Sequence, residues 1–452
     1  MTSPSPNRAE AAVPDPTLRG PSFWLDPPPE PGPPLEDERS VDVVVIGGGF
    51  AGLSAAIELR RRGIAVAVLE RHFAGYGASG RNAGHLTPTI GKDLPSVLRG
   101  FGRERGGALV RLAESAVRHV EETLDEHRID CRYRAVGNVV AGIHDGQRRR
   151  LERSARAGIE LGASLRLLDR DELRERGLPN AFTCGFLEQR GGVLDPGGYV
   201  RGLAAAARRS GAEIWEASPA LEIQRAGSGN GLEVRTPQGA IRAQRLVMAT
   251  NAYTRELGVP ARGPVSIRVT LLVTEPLPPE VRAAVGWPGE EGVYTAHEAL
   301  ESHRLTADGR ILSGSRYVRY EPGGRPAERR DPDVFARTEA MMRARFPELE
   351  AVPVARFWSG PTAFNLNFLP WVGRSEDGTV SWAVGFAGHG VALASLAGVW
   401  LARLACDEDA GVPELADAPR PPMPPEPIRG VVARGLIAGL EWVDRRTDRR
   451  AR

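Results

Sequence analysis

Six residues, Gly47-Gly48-Gly49-Phe50-Ala51-Gly52, offer backbone rather than side chains as a binding surface, and Glu70 comes eighteen residues after Gly52. The spacing is G-x-G-x-x-G, which suits a pyrophosphate. Gly47 permits a tight turn, Gly49 lets backbone approach the phosphates, and Gly52 lets a helix pack closely on the preceding strand. A helix starting there adds free N–H groups and the positive end of its dipole. Glu70 stands near the offset of about 20 residues expected for a ribose-binding acid. Its carboxylate would accept the ribose hydroxyls and oppose a 2′-phosphate. The chemistry indicated is capture of a dinucleotide, NAD or FAD rather than NADP. The competing reading, a glycine-rich turn without a ligand, loses weight because the motif sits between two strands.

The elements that must position these residues are legible around them. Val43–Ile46 reads as a buried strand, Leu53–Arg62 as a helix ended by Gly63, and Ala65–Leu69 as a second buried strand. Together they form a β-α-β unit. Helical spacing recurs over Leu109–His127, Arg148–Leu161 and Asp169–Gly177. Asp195-Pro196 opens a helix to Arg209, with Asp as N-cap and Pro in the first turn. Ile214–Val247 reads as short strands with a turn at Gly227–Gly231. Val265–Val273 and Arg304–Ser313 read as longer strands, and Asp333–Arg345 as a helix. Gly385–Leu404 begins with glycines and runs into a helix of small residues. Ile428, Val431, Val432, Leu436, Leu440 and Val443 share one face of a final helix, which is expected to pack on the globule; the alternative, a membrane-surface element, rests on the flanking Arg429, Arg434 and Arg445.

The 452 residues exceed one simple core, and apolar residues make up 41% of them. A net charge of +2 gives no footprint for nucleic acid. Lys92 is the only lysine, so any step that needs one must use it. Cys131, Cys184 and Cys406 are too few and too scattered for a disulfide framework or a metal site. The run Val41–Leu59 contains a glycine cluster and Glu58, against a membrane span. The reading is a soluble cytoplasmic protein with no integral membrane contact and no bound metal. Residues 1–39 are proline-rich, relieved by the apolar trio Phe23-Trp24-Leu25, which is placed to dock on the globule.

The residues after Glu70 separate NAD from FAD. Gly75 to Leu86 forms a second glycine-rich loop, suited to a longer cofactor that needs more backbone contact. With Asp42–Ala56, Ala78-Ser79-Gly80-Arg81-Asn82, Ala249–Tyr253, Arg304–Leu312 and Gly385–Val391, the chain resembles the D-amino-acid oxidase-like family of FAD-dependent oxidoreductases. Within it the nearest likeness is to the γ-glutamylputrescine oxidase-like subgroup. The resemblance implies an α/β fold: a Rossmann-type FAD-binding domain and a discontinuous substrate domain built on a mixed antiparallel sheet, of the glutathione-reductase type 2. The FAD domain is expected at 40–95, 195–262 and 345–425, the substrate domain at 96–194 and 263–344, and a C-terminal helix at 426–452.

The resemblance also implies site roles. Glu70 would hold the adenosine ribose, and Ala220 would meet the adenine side through its backbone. Ser79 and Gly80 would lie along the pyrophosphate, while Arg81 and Asn82 would reach toward the flavin. Gly388, His389 and Gly390 would sit at a helix N-terminus beside the flavin N1–C2=O edge, where reduced flavin carries negative charge. His85, His389 and Arg81 are the candidates to act at the ring. The implied reaction is hydride transfer from a C–H beside an amine nitrogen, giving an imine that hydrolyses. No dedicated base is required. Family members acting on α-amino acids place an arginine three residues before the Gly of the Asp-Gly turn, and here that residue is Thr306. This favours a primary or secondary amine substrate. A lysine near the flavin, expected for oxygen activation, could only be Lys92. With no histidine in Ala78–Gly80 and Cys406 late in a helix, the FAD is expected to be non-covalent. The alternatives are an amino-acid dehydrogenase passing electrons to a quinone or partner, and the FAD subunit of a heteromeric complex.

Overall fold

In the computed structural model, residues 21–91, 93–225, 231–258, 264–322, 331–412, 415 and 424–451 are described. Lys92 and most of the turn expected at Gly227–Gly231 lie outside them.

The run Val43–Ile46 is the buried half of a strand, Glu38–Ile46, and it organises an eight-stranded sheet. Four neighbours run parallel in the order Val380–Val384, Ala240–Met248, Glu38–Ile46, Val66–Leu69, with Glu213–Trp215 parallel beyond. Near-continuous Val, Ile and Leu runs are what a sheet covered on both faces requires. One face carries the helices Phe50–Arg61, Pro196–Arg209 and Gly390–Ala405, all part of the largest apolar cluster. Small residues set the spacing there. A Cβ on Gly398 would collide with Ser54 of the neighbouring helix.

A nine-stranded sheet forms the second layer. Its central strands run Val265–Thr274, Ile311–Gly314, Ser302–Leu305, Gly292–Thr295, Asn138–Gly142, Cys184–Glu188. All of these pairings are antiparallel except Gly292–Thr295 with Asn138–Gly142. One face buries Val139, Leu187, Val293, Leu305 and Phe346 in an apolar cluster of its own. Alternation then turns Asn138, Glu188, Tyr294 and Arg304 to the other face.

Three expectations change. Arg304–Ser313 is not one strand but a hairpin, because Thr306 to Arg310 closes a turn at Asp308-Gly309. Val354–Phe364, expected with the nucleotide-binding part, pairs along Val265–Thr274 in the larger sheet. The helix expected at Leu109–His127 extends back to Leu94, broken at Gly102, and packs in the same cluster as the fingerprint helix. The cap at Asp195 forms as read, accepting from the Gly198 N–H at 3.0 Å, and Asp169 also caps the short helix Arg170–Glu175.

Candidate active site

The fingerprint turn is tight for a definite reason. Gly47 has φ +110°, and a Cβ there would stand 2.8 Å from the Ala249 carbonyl oxygen. Gly52 is equally constrained, since its Cβ would collide with the Gly47 carbonyl. At Gly49 the nearest group is Ser79 Oγ, 2.7 Å from where a Cβ would be. That hydroxyl accepts the Phe50 N–H at 3.0 Å, so the second loop is tied to the helix N-terminus.

Glu70 accepts from Gly48 N–H at 2.8 Å and His72 N–H at 3.0 Å, one bond to each carboxylate oxygen. Each oxygen keeps a lone pair for a ribose hydroxyl. Burial pushes its pKa upward, against the pull of those two bonds. Ala220 lies just beyond Ser218, whose N–H donates to the Glu70 carbonyl at 2.8 Å.

Gly388 has φ +81°, and a Cβ there would meet only Phe364, at 3.9 Å. Behind it Phe386 and Ala387 are buried, while Gly388 is exposed and His389 and Gly390 are partly so. The helix Gly390–Ala405 therefore opens toward free space. Asn251 Oδ1 accepts the Gly385 N–H at 3.1 Å and holds this loop to the neighbouring strand end. Gly47, Gly49, Glu70, Ser79, Asn251 and Gly388 thus rim one groove at the carboxyl ends of the parallel strands, where open α/β sheets take ligands. The residues fit a dinucleotide: two helix N-termini, a glycine turn and a carboxylate with free lone pairs on one edge. Asn251 was not assigned a role from sequence; only its place in a quoted motif pointed to it.

The second loop, Gly75–Leu86, is heavily braced. Asn82 Nδ2 donates to the Ala78 and Ser79 carbonyls, and Oδ1 accepts from Gly84 N–H at 2.8 Å. Arg81 is buried, donates to the Tyr76 carbonyl at 2.7 Å and the Ser359 carbonyl at 3.0 Å, and stacks on Tyr76. The polar atoms of Asn82 are spent on the loop, and Arg81 clamps it to the second sheet. The trio Phe23-Trp24-Leu25 docks here as expected: Trp24 Nε1 donates to the Asn82 carbonyl at 2.8 Å, and Leu25 covers Gly80.

His85 is buried against Tyr294, with ring centroids 4.5 Å apart. Asn138 donates its amide to the Leu86 and Gly192 carbonyls, so its oxygen faces His85 Nδ1 at 3.0 Å. This assigns the proton to Nδ1 and leaves Nε2 a buried acceptor without a partner among the described residues. Burial, with Arg304 nearby, pulls the pKa down to about 3, so the ring is neutral. His389 is also held neutral by burial, its Nδ1 at 2.8 Å from the Ala387 carbonyl.

Among the described residues no carboxylate pairs with the buried Arg304. Nη1 donates to the carbonyls of Ala83, Gly84 and Leu194, and burial lowers its pKa to about 9. Thr306, read as standing where a carboxylate clamp would be, closes the hairpin tip instead. Its hydroxyl donates to Asp308 at 2.6 Å and accepts the Arg310 N–H at 3.0 Å.

Beside this loop a small cleft, with a cavity volume of about 40 Å³, lies between the helix Leu94–His127 and the larger sheet. Pro88, Ile90, Leu94, Val110 and Ala113 give it apolar walls, and Glu114 and Glu188 are its two carboxylates. Gly91, next to Ile90 of the cleft wall, would place a Cβ 3.4 Å from His389 Nδ1, so this end of the cleft packs close to the His389 loop. Glu114 accepts the Ser164 N–H at 2.9 Å. Among the described residues no cation or donor pairs with Glu188, and burial alone raises its pKa to about 7. Sequence reasoning missed Glu188, because a lone glutamate at a strand end carries no motif.

The three cysteines are free, and Cys406 caps the far end of the helix Gly390–Ala405. At 1.5 Å per residue that is about 24 Å from Gly390.

Residues 42–404 match the DAO family, described as FAD dependent oxidoreductase. Gamma-glutamylputrescine oxidoreductase of Escherichia coli K12 is 30% identical over 394 residues, covering 86% of this chain and 89% of that protein. Among solved structures, L-proline dehydrogenase from P. horikoshii superposes with a TM-score of 0.71 at 21% identity, covering 83% of this chain and 96% of that one. Glycine oxidase from Geobacillus kaustophilus also gives 0.71, at 19% identity, over 85% and 100%. At these identities the two structures are likenesses of fold.

Proposed function

This chain belongs to the DAO family of FAD dependent oxidoreductases, and from that premise we propose that it oxidises a primary or secondary amine held in the cleft between Glu188 and the cofactor groove. FAD, when bound, supplies the hydride acceptor. The protein's own residues bind, orient and exclude water.

The observation that carries the reading is Glu188. A carboxylate with apolar walls and, among the described residues, no cation of its own is a site for a cationic nitrogen. The nitrogen next to the reacting C–H must be neutral, so Glu188 serves a second positive group on the substrate, away from the flavin. The apolar side chains of Pro88, Ile90 and Leu94 beside Glu188 match an aliphatic spacer in chemistry. The gamma-glutamylputrescine oxidoreductase relative supports a substrate of that class.

The arginines argue the same way. An α-carboxylate in a dry site needs a guanidinium. Arg304 is committed to four carbonyls and Arg81 to at least two. Releasing either would strip buried carbonyls of their donors. His85 and His389, both neutral, act as hydrogen-bonding groups and not as proton stores. FAD is held non-covalently in this reading, since Cys406 stands at the wrong end of its helix.

The test is anaerobic titration of the FAD-loaded protein with diamines, N-methyl amines and α-amino acids, following flavin bleaching. Bleaching by diamine-type substrates at far lower concentration than by α-amino acids supports the proposal. The reverse order refutes it.

A further inference from the structure

The helix Ile428–Ala451 sorts its side chains by charge. Its three acids, Glu441, Asp444 and Asp448, all turn toward the protein. Asp444 is buried, and its two oxygens accept the Glu298 and Ala299 N–H groups at 2.8 and 3.0 Å. Glu441 pairs with Arg337 at 3.0 Å and Arg319 at 3.6 Å. Asp448 pairs with Arg345 at 2.9 Å and with Arg316. These contacts fix the rotation of the helix about its axis.

The outward side is then left with no carboxylate. Val431, Leu436 and Trp442 are 65%, 55% and 50% exposed, and Ile428 and Val432 share their sector. A single exposed apolar side chain needs no explanation, but a contiguous row along one helix does. At 3.6 residues per turn the same sector continues into Arg446, Arg449 and Arg450, all exposed. Arg446 lies over the Trp442 ring at 3.7 Å. The result is an apolar strip with an interfacial tryptophan and a basic end.

We propose that this face docks on an anionic lipid bilayer, with the helix lying in the plane of the headgroups. Apolar residues would enter the headgroup boundary while the arginines meet lipid phosphates. Trp442 suits the boundary, with an apolar body and one N–H. A second copy is a poorer occupant, because the basic end presents no acid for a partner's arginines. The mode is peripheral: no helix of the described residues is long and apolar enough to cross a membrane.

The test is co-sedimentation of the full-length, FAD-loaded protein with vesicles of phosphatidylcholine alone or mixed with phosphatidylglycerol. The expected result is binding to the anionic vesicles at least tenfold tighter, weakening as salt is raised. Arg446→Glu with Arg449→Glu should cut it by tenfold or more, and Trp442→Ser should cut it at any salt. Flavin absorbance and melting temperature of each variant show whether it folds. The wild-type salt series decides the matter if a variant does not. No sedimentation, equal sedimentation with neutral vesicles, or light scattering showing a dimer that Trp442→Ser dissolves would overturn the proposal. Amine turnover plays no part in the readout, so failure here and failure of the amine reading are separate.

Discussion

Glu70 and Gly49 should fail in different ways when altered, because one offers bonds and the other offers space. Glu70→Ala removes charge-assisted bonds of roughly 1.5–3 kcal/mol to the ribose, which weakens FAD retention about tenfold to a hundredfold. Gly49→Val places a branched side chain where Ser79 Oγ already stands 2.7 Å from the Cβ position. It should abolish FAD binding, and a Gly49→Val protein that purified yellow and fully loaded would mean the groove is misassigned. The geometry of both was legible in the sequence because it is local, set by a turn and a fixed offset. Glu188 was not, since only strand register and the packing of a distant helix put it in a cleft. It also titrates. Its pKa is raised to about 7 in the folded chain, so folding favours the protonated form. That contribution is complete below the ordinary carboxyl range and is lost as pH rises through about 7. Glu188→Gln should therefore be more stable than wild type above pH 7, by on the order of 1–3 kcal/mol, and equal to it near pH 4. The same change should raise the KM for a doubly charged amine by roughly tenfold or more. Thermal melts across pH and steady-state kinetics check both. A variant with unchanged KM would remove Glu188 from the substrate site.

Elements carry the next level of specification. The trio Phe23-Trp24-Leu25 belongs to no sheet, yet Leu25 covers Gly80 and the Trp24 indole holds the Asn82 carbonyl. Leu25 is fully buried, so Leu25→Ala should cost about 2–5 kcal/mol. Because the cavity would open under the second loop, FAD content should fall along with the melting temperature. A drop in melting temperature with full flavin loading would show that the trio is only packing. Its docking was readable as an apolar island among prolines. Helices were readable where caps announce them, as at Asp195-Pro196. The hairpin inside Arg304–Ser313 was missed, although Asp308-Gly309 is ordinary turn chemistry, because the apolar residues on both sides suggested one strand. The placement of Val354–Phe364 was missed for another reason. It pairs with a strand about ninety residues earlier, and no local pattern encodes a partner that distant.

At the scale of the whole molecule, the two sheets are joined through the second loop, where Arg81 donates to the Ser359 carbonyl. The groove belongs to the strand ends of one, and the cleft to the far face of the other. Glycine spacing could reveal the first, but nothing in the chain's order reveals the second, which exists only once residues near 90, 110 and 188 converge. Substrate and electron acceptor are properties of that junction, and one stopped-flow series separates them. In the reductive half, a diamine-type or N-methyl amine should reduce the flavin quickly, and ordinary α-amino acids slowly. An α-carboxylate entering the cleft would face Glu188 and find Arg304 already bound to the Ala83, Gly84 and Leu194 carbonyls. An unpaired buried carboxylate costs several kcal/mol, enough to separate the two classes by a hundredfold or more. In the oxidative half, reduced enzyme is mixed with air-saturated buffer or with a quinone. Oxygen activation is helped by positive charge at the ring. His85 and His389 are held neutral by burial, so neither supplies it. Slow re-oxidation by air with fast transfer to the quinone, that of a dehydrogenase, is the outcome expected unless Lys92, which lies outside the described residues, supplies that charge. Rapid re-oxidation by air would require a cation at the flavin other than these histidines. Fast reduction by α-amino acids would remove the amine reading at the same time.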